Sequence, residues 1–144
     1  MEEERMNQRI EEFRRKLANV DYSVSLPDTE LEVMMAVWDC ELPVTSRKLM
    51  ASIGDGKGWK TATVISFLTR LEDRGFLMSY KDGKERSYVP TADRELYLAA
   101  LTERFVRQVH AGSYTAMLDS LFFEKNMSDD DIDELAAWLK RRFE

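Results

Sequence analysis

Between residues 60 and 74, Val64, Phe67, Leu68 and Leu71 recur at i, i+3, i+4 and i+7, the apolar stripe of an amphipathic helix. At roughly 100° per residue, the opposite face carries Ala62, Ser66, Thr69 and Asp73, with Thr63, Ile65 and Arg70 at its margins. These side chains are mostly short, whereas a face that meets only solvent favours Glu, Lys and Gln, the better helix formers. Gly75 supplies a left-handed stop after Arg74. Phe76-Leu77-Met78-Ser79-Tyr80 then reads as a strand, and a second strand ends at Tyr88. The turn Lys81-Asp82-Gly83-Lys84 contains the Asp-Gly pair of a two-residue type I′ hairpin.

A helix, a glycine stop and a basic hairpin in this order predict a winged helix. Upstream, Leu31, Met34, Met35 and Trp38 form another i, i+3, i+4, i+7 stripe, in a helix that Asp28 caps or Pro27 starts. Thr45 is the expected N-cap of a short helix from Ser46 to Ile53 that buries Leu49 and Ile53. Gly54-Asp55-Gly56-Lys57-Gly58 is expected to be a loop, longer than the turn of a minimal helix-turn-helix. The winged helix therefore occupies residues 26–90.

Before it, in residues 1–25, Met6, Ile10, Phe13, Leu17 and Val20 are spaced 4, 3, 4, 3 in a heptad-like stripe. The stripe is shorter than the ~3 to 4 heptads of a firm coiled coil. Two readings stay open: a helix that packs on its own copy or a partner helix, and a frayed extension. After the winged helix, residues 91–144 show no strand pattern. Leu96, Ala99, Ala100, Phe105, Val106 and Val109 predict a long helix ending near Gly112, and Tyr114, Met117, Leu118, Leu121 and Phe122 a second. The third carries a capping box at Ser128 and Asp131, with Met127 and Ile132 at the staple positions. Its apolar face is Ile132, Leu135, Trp138 and Leu139, and Lys140, Arg141 and Arg142 sit where the helix dipole favours cations. Three such helices with little to cover them imply a dimer interface through Phe105, Val109, Met117, Leu118, Leu121, Leu135, Trp138 and Leu139. The competing arrangement folds them back on the winged helix as one monomeric core. The expected fold is mainly α with a small β-hairpin wing: a winged helix-turn-helix followed by a three-helix dimerisation region.

Charge changes this picture when it is counted by region. The formal net charge is -6, unfavourable at first sight for a nucleic-acid partner. Yet residues 44–90 hold nine Lys/Arg against five Asp/Glu, while residues 1–43 hold five against eleven and residues 91–144 seven against eleven. The one basic segment is the candidate DNA reader, and phosphate contact depends on charge within a Debye length of ~8 to 10 Å. Short residues let a helix backbone enter a major groove, where hydroxyls meet donors or acceptors and Ile or Ala touches a thymine methyl. The expected DNA-binding residues of the helix are Lys60, Thr61, Ala62, Thr63, Ile65, Ser66, Thr69 and Arg70. Lys81, Lys84 and Arg86 of the wing are expected on phosphates, which fix register without reading sequence.

Cys40 is the only cysteine, so disulfide frameworks and multi-cysteine metal sites within one chain are excluded. No apolar run approaches the ~18 residues of a membrane span, and the charged start Met1-Glu2-Glu3-Glu4-Arg5 does not read as a signal peptide. A cytoplasmic protein with no membrane association, metal or cofactor is expected. Catalysis finds little support: the one histidine, His110, has no accompanying nucleophile motif, and Asp129-Asp130-Asp131 suits a helix N-terminus. The alternative to a DNA reader is a winged helix that serves protein-protein assembly alone.

From Leu26 to Phe143 the chain resembles the penicillinase and methicillin-resistance repressors and their copper-responsive relatives (BlaI/MecI/CopY type). The resemblance rests on Leu26-x-x-x-Glu30-x-x-Val33-Met34-x-x-Val37-Trp38-Asp39, on Thr63-Val64-x-Ser66-x-Leu68-Thr69-Arg70-Leu71, and on Gly75-Phe76-Leu77 with Lys81-Asp82-Gly83 and Tyr88-x-Pro90. It implies a homodimeric repressor on a palindromic operator, with entwined C-terminal helices and an upstream signalling partner or protease. Three departures bear on what it implies. Ile65 and Ala62 stand where relatives often have basic residues. The copper branch's C-terminal cysteine cluster has no counterpart. Ser120-Leu121 replaces the Asn-Phe pair at which the antibiotic-responsive branch is cleaved.

Overall fold

The computed structural model describes residues 1–124 and 126–144. They form two compact units, Met1–Ala100 and Leu101–Glu144, each considered on its own below. The winged helix is in the first. Its elements are α2 (Asp28–Asp39), α3 (Ser46–Leu49), a π-helical turn (Met50–Gly54), α4 (Asp55–Lys57), α5 (Thr61–Asp73), and strands β1 (Leu77–Asp82) and β2 (Glu85–Pro90). Helix α1 (Glu2–Ala18) precedes them.

The core is made where α2, α3, α5 and the start of β1 converge. Val33, Met34, Val37, Leu49, Val64, Leu68, Leu71, Phe76 and Leu77 are all fully enclosed, and burying each such side chain contributes about 1.5–3 kcal/mol. On α5 the expected stripe is the buried one, except that Phe67 stays half-buried, its ring 5.1 Å from that of Trp59. On α2 the stripe is turned. Glu30, Val33, Met34 and Val37 face the core, whereas Leu31, Met35 and Trp38 are only half-buried. This helix is apolar on more than one side, so spacing alone could not select the face that α5 covers. Pro27 takes the N-cap position of α2 and Asp28 its first turn. Trp38 finds a polar partner instead, donating from Nε1 to the Ala92 carbonyl at 3.1 Å.

Thr45 caps α3 as expected, its hydroxyl accepting from the Lys48 N–H at 3.2 Å. The helix does not stop at Ile53. It widens into the π-helical turn and continues through Lys57, so the expected loop at 54–58 is helical except at Gly58, where φ is +71°. Gly54 serves close packing rather than a turn. It is buried, and a Cβ there would lie 3.2 Å from Val64 Cγ2 and 2.6 Å from Met50 Sδ. A missing side chain lets this helix approach α5.

At the other end of α5, Gly75 adopts φ +83° and the chain turns at once into β1. The Gly75 N–H donates to the Glu72 carbonyl and the Phe76 N–H to the Leu71 carbonyl, each at 2.9 Å, the double bond of a Schellman cap. Thr91 locks the same corner: its hydroxyl donates to the Gly75 carbonyl at 2.7 Å and its N–H to the Phe76 carbonyl at 2.9 Å. The strands pair antiparallel from Leu77↔Pro90 to Asp82↔Glu85. The two-residue loop is therefore Gly83-Lys84, one place later than the expected Asp82-Gly83. Only Gly83 has positive φ, which fits a type II′ turn with glycine first and not the type I′ turn expected. Val44 exchanges both backbone bonds with Tyr88, at 2.9 and 2.7 Å, and so pins β2 from its other edge. A slip of one residue would reverse every side chain in the strand, so register wins over the preference of the Asp-Gly pair.

Glu30 is the one carboxylate sunk in this core. It is 4% exposed, and Arg74 donates to its two oxygens from Nε at 3.0 Å and Nη2 at 3.3 Å. The two partners are unequal, because Arg74 keeps access to water and Glu30 does not. Arg74→Ala, which strands the carboxylate, is expected to destabilise by about 3–5 kcal/mol. Glu30→Ala, which leaves a cation able to hydrate, should cost clearly less. Urea midpoints followed by tryptophan fluorescence check the order.

The second unit contains the later turns of α6 (Arg94–His110), then α7 (Tyr114–Phe122) and α8 (Asp129–Arg142). Ala111 and Gly112, both at positive φ, end α6. The capping box on α8 forms in full: Asp131 accepts from the Ser128 N–H at 3.0 Å and its own N–H donates to the Ser128 hydroxyl at 3.1 Å. The Ser128 N–H bond, helped by the hydroxyl, holds the Asp131 carboxyl below the usual range. Among the described residues no helix is long and apolar enough to cross a membrane.

Candidate nucleic-acid interface

With Val64, Leu68 and Leu71 turned inward, the outer face of α5 is fixed. Thr61, Ala62, Ile65, Ser66, Thr69, Arg70 and Asp73 are exposed and Thr63 is half-buried. Ile65 is 42% exposed, an apolar side chain standing among hydroxyls with no core to fill. The Thr69 hydroxyl donates back to the Ile65 carbonyl at 2.9 Å, which leaves its lone pairs to accept. Arg70 is drawn sideways, its guanidinium 5.5 Å from the Phe67 ring centre. Lys60 sits at the N-cap position in extended conformation and is exposed.

The wing sorts its charges by face. Directly paired residues in an antiparallel ladder lie on the same side, so Ser79, Lys81, Arg86 and Tyr88 share one face and Met78, Tyr80, Asp82, Glu85, Ser87 and Val89 the other. The first face is the α5 side. There Ser79 Oγ lies 2.6 Å from both carboxylate oxygens of Glu72, to one of which it donates. Arg86 donates from Nη1 to Ser79 Oγ at 2.9 Å. Acidic Asp82 and Glu85 stand on the far side, and Glu85 pairs with Arg47.

The nine cations of residues 44–90 are thus not equivalent. Arg47, Lys57 and Arg74 are in ion pairs with Glu85, Glu32 and Glu30. Lys48 donates to the Pro43 carbonyl, Arg70 lies over Phe67 and Arg86 is held by Ser79. Lys60, Lys81 and Lys84 make no ion pair or hydrogen bond among the described residues, and all three are exposed. One stands at the start of α5 and two on the wing that follows it. Sequence reasoning placed Arg86 with the wing lysines; Arg86 stands opposite Lys81 in the ladder and also donates to Ser79 Oγ. The same reasoning missed the Glu72-Ser79-Arg86 chain and the Arg47-Glu85 link, whose partners are 38 residues apart and leave no local signal.

In the second unit Val106 is buried, whereas the expected interface positions keep full or partial exposure. Phe105, Val109, Leu121, Trp138 and Leu139 are exposed, and Met117, Leu118 and Leu135 half-buried. Leu121, Leu135 and Trp138 line one cleft between α7 and α8. His110 is half-buried with its ring edge-on to Phe105 at 5.5 Å. Among the described residues no three His, Cys, Asp or Glu side chains are grouped to hold a metal.

Helix α5, its Schellman corner and the pinned hairpin define a winged helix-turn-helix protein. Residues 26–141 match the family model described as penicillinase repressor, and the chain belongs to that family. It is 24% identical to the penicillinase repressor of Bacillus licheniformis over 110 residues, 76% of this chain and 85% of that protein. It is likewise 24% identical to the methicillin resistance regulatory protein MecI of Staphylococcus aureus over 124 residues, 86% of this chain and 98% of that one. Among solved structures, monomeric BlaI of Bacillus licheniformis in complex with the blaP half-operator aligns with a TM-score of 0.44 at 27% identity, covering 51% of this chain and 89% of that one. Helix α1 lies outside the matched residues.

Burial pushes the Tyr88 phenol above its usual 10.0, the Glu72 charge adds to the rise, and Arg86 opposes it. A raised native pKa means that the folded state holds the proton more tightly. Its contribution to stability is intact below about pH 10 and is lost as the pH climbs beyond. Between pH 9 and 11 the urea midpoint of the protein should therefore fall more steeply than that of Tyr88→Phe, a comparison that removes the other tyrosines and lysines from the reading.

Proposed function

We propose that this chain is a transcriptional repressor that binds a palindromic DNA operator as a homodimer. Helix α5 enters the major groove, the wing rests on the backbone, and residues 91–144 join two copies. The observation that carries the reading is the exposed Ala62, Ile65, Ser66 and Thr69 face flanked by the three unpaired lysines, Lys60, Lys81 and Lys84. Its length supports the reading too: α5 is 13 residues long, at 1.5 Å per residue about 20 Å, enough to cross a groove ~12 Å wide. Family membership agrees, since the family and the Bacillus licheniformis relative are penicillinase repressors by name and the Staphylococcus aureus relative is a regulatory protein by name.

The roles divide by chemistry. Ser66 and Thr69 offer hydroxyls to base edges and Ile65 and Ala62 offer apolar contact to a thymine methyl. Thr61, Thr63 and Arg70 border that contact. Lys60, Lys81 and Lys84 neutralise phosphates, and Arg86, held over Ser79, reaches one only by leaving that bond. In the dimer Phe105, Val109, Met117, Leu118, Leu121, Leu135, Trp138 and Leu139 supply the buried surface. A two-fold axis then sets half-sites one helical turn of DNA apart, about 34–36 Å. The protein works in the cytoplasm, and a signalling partner or protease relieves repression.

Selection of genomic fragments at moderate salt should enrich one palindromic sequence; enrichment of none defeats the proposal. Lys84→Ala is expected to weaken binding to every duplex and to flatten the plot of log affinity against log salt by about 0.9 for each lysine lost. Ser66→Ala and Thr69→Ala should change the enriched sequence while leaving that slope in place. Trp138→Asp should shift the species in sedimentation from dimer to monomer and lower operator affinity with it.

A further inference from the structure

We propose that the cleft between α1 and the back of the wing binds a small organic anion with an apolar, two-ring-sized body. The inference stands on α1 and the strands and does not need the operator reading. One wall is Met6, Ile10 and Phe13 of α1, and the other is Met78, Tyr80 and Val89, with Leu42 and Pro90 completing the lining. The cleft has a volume of about 320 Å³, at the lower end of the ~300–1,000 Å³ of small-molecule sites and roughly twice the 150 Å³ that holds benzene. Its lining is almost wholly apolar. Two methionines face it from opposite walls, a side chain that adapts to irregular guests.

Two observations set this cleft apart from an ordinary crevice. The apolar stripe of α1 is not consumed by packing: no residue of α1 is buried, and Met6, Ile10 and Leu17 remain 54%, 41% and 43% exposed. A helix of this kind gains little by lying against the wing unless something fills the space. The charge at the wall also has no counter-ion among the described residues. Arg9 makes no ion pair among the described residues and lies over the Tyr80 ring with its guanidinium carbon 4.8 Å from the centre. A carboxylate or sulfonate in the cleft would find that guanidinium within reach, while its apolar body lies between Met6 and Met78. One charged donor set in an apolar wall is the usual make-up of a ligand site, the cation fixing orientation and the walls supplying area.

The test uses the full-length protein with methyl-labelled methionine, whose Met6 and Met78 signals report on the two walls, titrated with 2-naphthoate. Saturable shifts of both methyls, with Met34 and Met50 unmoved, are expected. Arg9→Gln should raise the dissociation constant at least about tenfold, the loss of a hydrogen bond to a charged group. Ile10→Trp, at an exposed position that tolerates bulk, should fill the cleft and abolish saturation. The proposal is overturned if neither methyl shifts, if the shifts persist unchanged in Ile10→Trp, or if naphthalene binds as well as 2-naphthoate. Shifts that follow protein concentration without added naphthoate also overturn it, because they identify a second copy of α1 as the occupant.

Discussion

Everything the winged helix presents outward depends on how α5 is seated. Val64, Leu68 and Leu71 are enclosed by α2, α3 and β1, and a helix is a rigid rod, so burying one stripe fixes the direction of every other side chain. Two contacts set its depth and end. At the near end the absent side chain of Gly54 lets the preceding helix close on Val64; at the far end Gly75 turns the chain within a single residue into β1. The wing therefore inherits its position from the helix. Ser79 meeting Glu72 and Thr91 closing on Gly75 make helix and hairpin one body rather than two elements joined by a loop.

Electrostatics on that body are selective rather than merely basic. Six of the nine cations in residues 44–90 are occupied by carboxylates, carbonyls, a hydroxyl or an aromatic ring, and the acidic residues of the hairpin tip stand away from α5. What remains are three lysines around a face of hydroxyls and methyl groups. A protein of net charge -6 can in this way hold a local basic frame, since fields from its other segments are screened beyond a Debye length of ~8 to 10 Å. The buried Glu30-Arg74 pair belongs to a different category. It fastens α2 to the end of α5 at the cost of desolvating a carboxylate, and its two members are unequally replaceable for that reason.

The elements whose signals are local were readable along the chain: the α5 stripe, the Gly75 stop, the Thr45 cap and the Ser128-Asp131 box all depend on residues within four or five positions of one another. The misreadings have a common origin as well. Gly54 looked like a turn because glycine usually marks one, yet its role is set by Val64, ten residues on. The hairpin was placed one residue early because Asp-Gly is the stronger local preference, while Val44 and the Leu77↔Pro90 pairing decide the register from a distance. On α2, with apolar side chains on more than one face, only the position of α5 could choose Val33 and Val37 over Leu31 and Met35.

By itself the sequence determined most of the helical segments, where the recognition helix stops, that a hairpin follows it, and that positive charge is concentrated in that part of the chain. These are properties of neighbouring residues, set by spacing, backbone freedom and capping. Tertiary structure alone decided which cations are left unpaired, which face of the hairpin is basic, and that α1 lies along the back of the wing with space beneath it. Each of these depends on groups distant in sequence meeting in space, where burial and pairing energies exceed the local preferences that a linear reading can see.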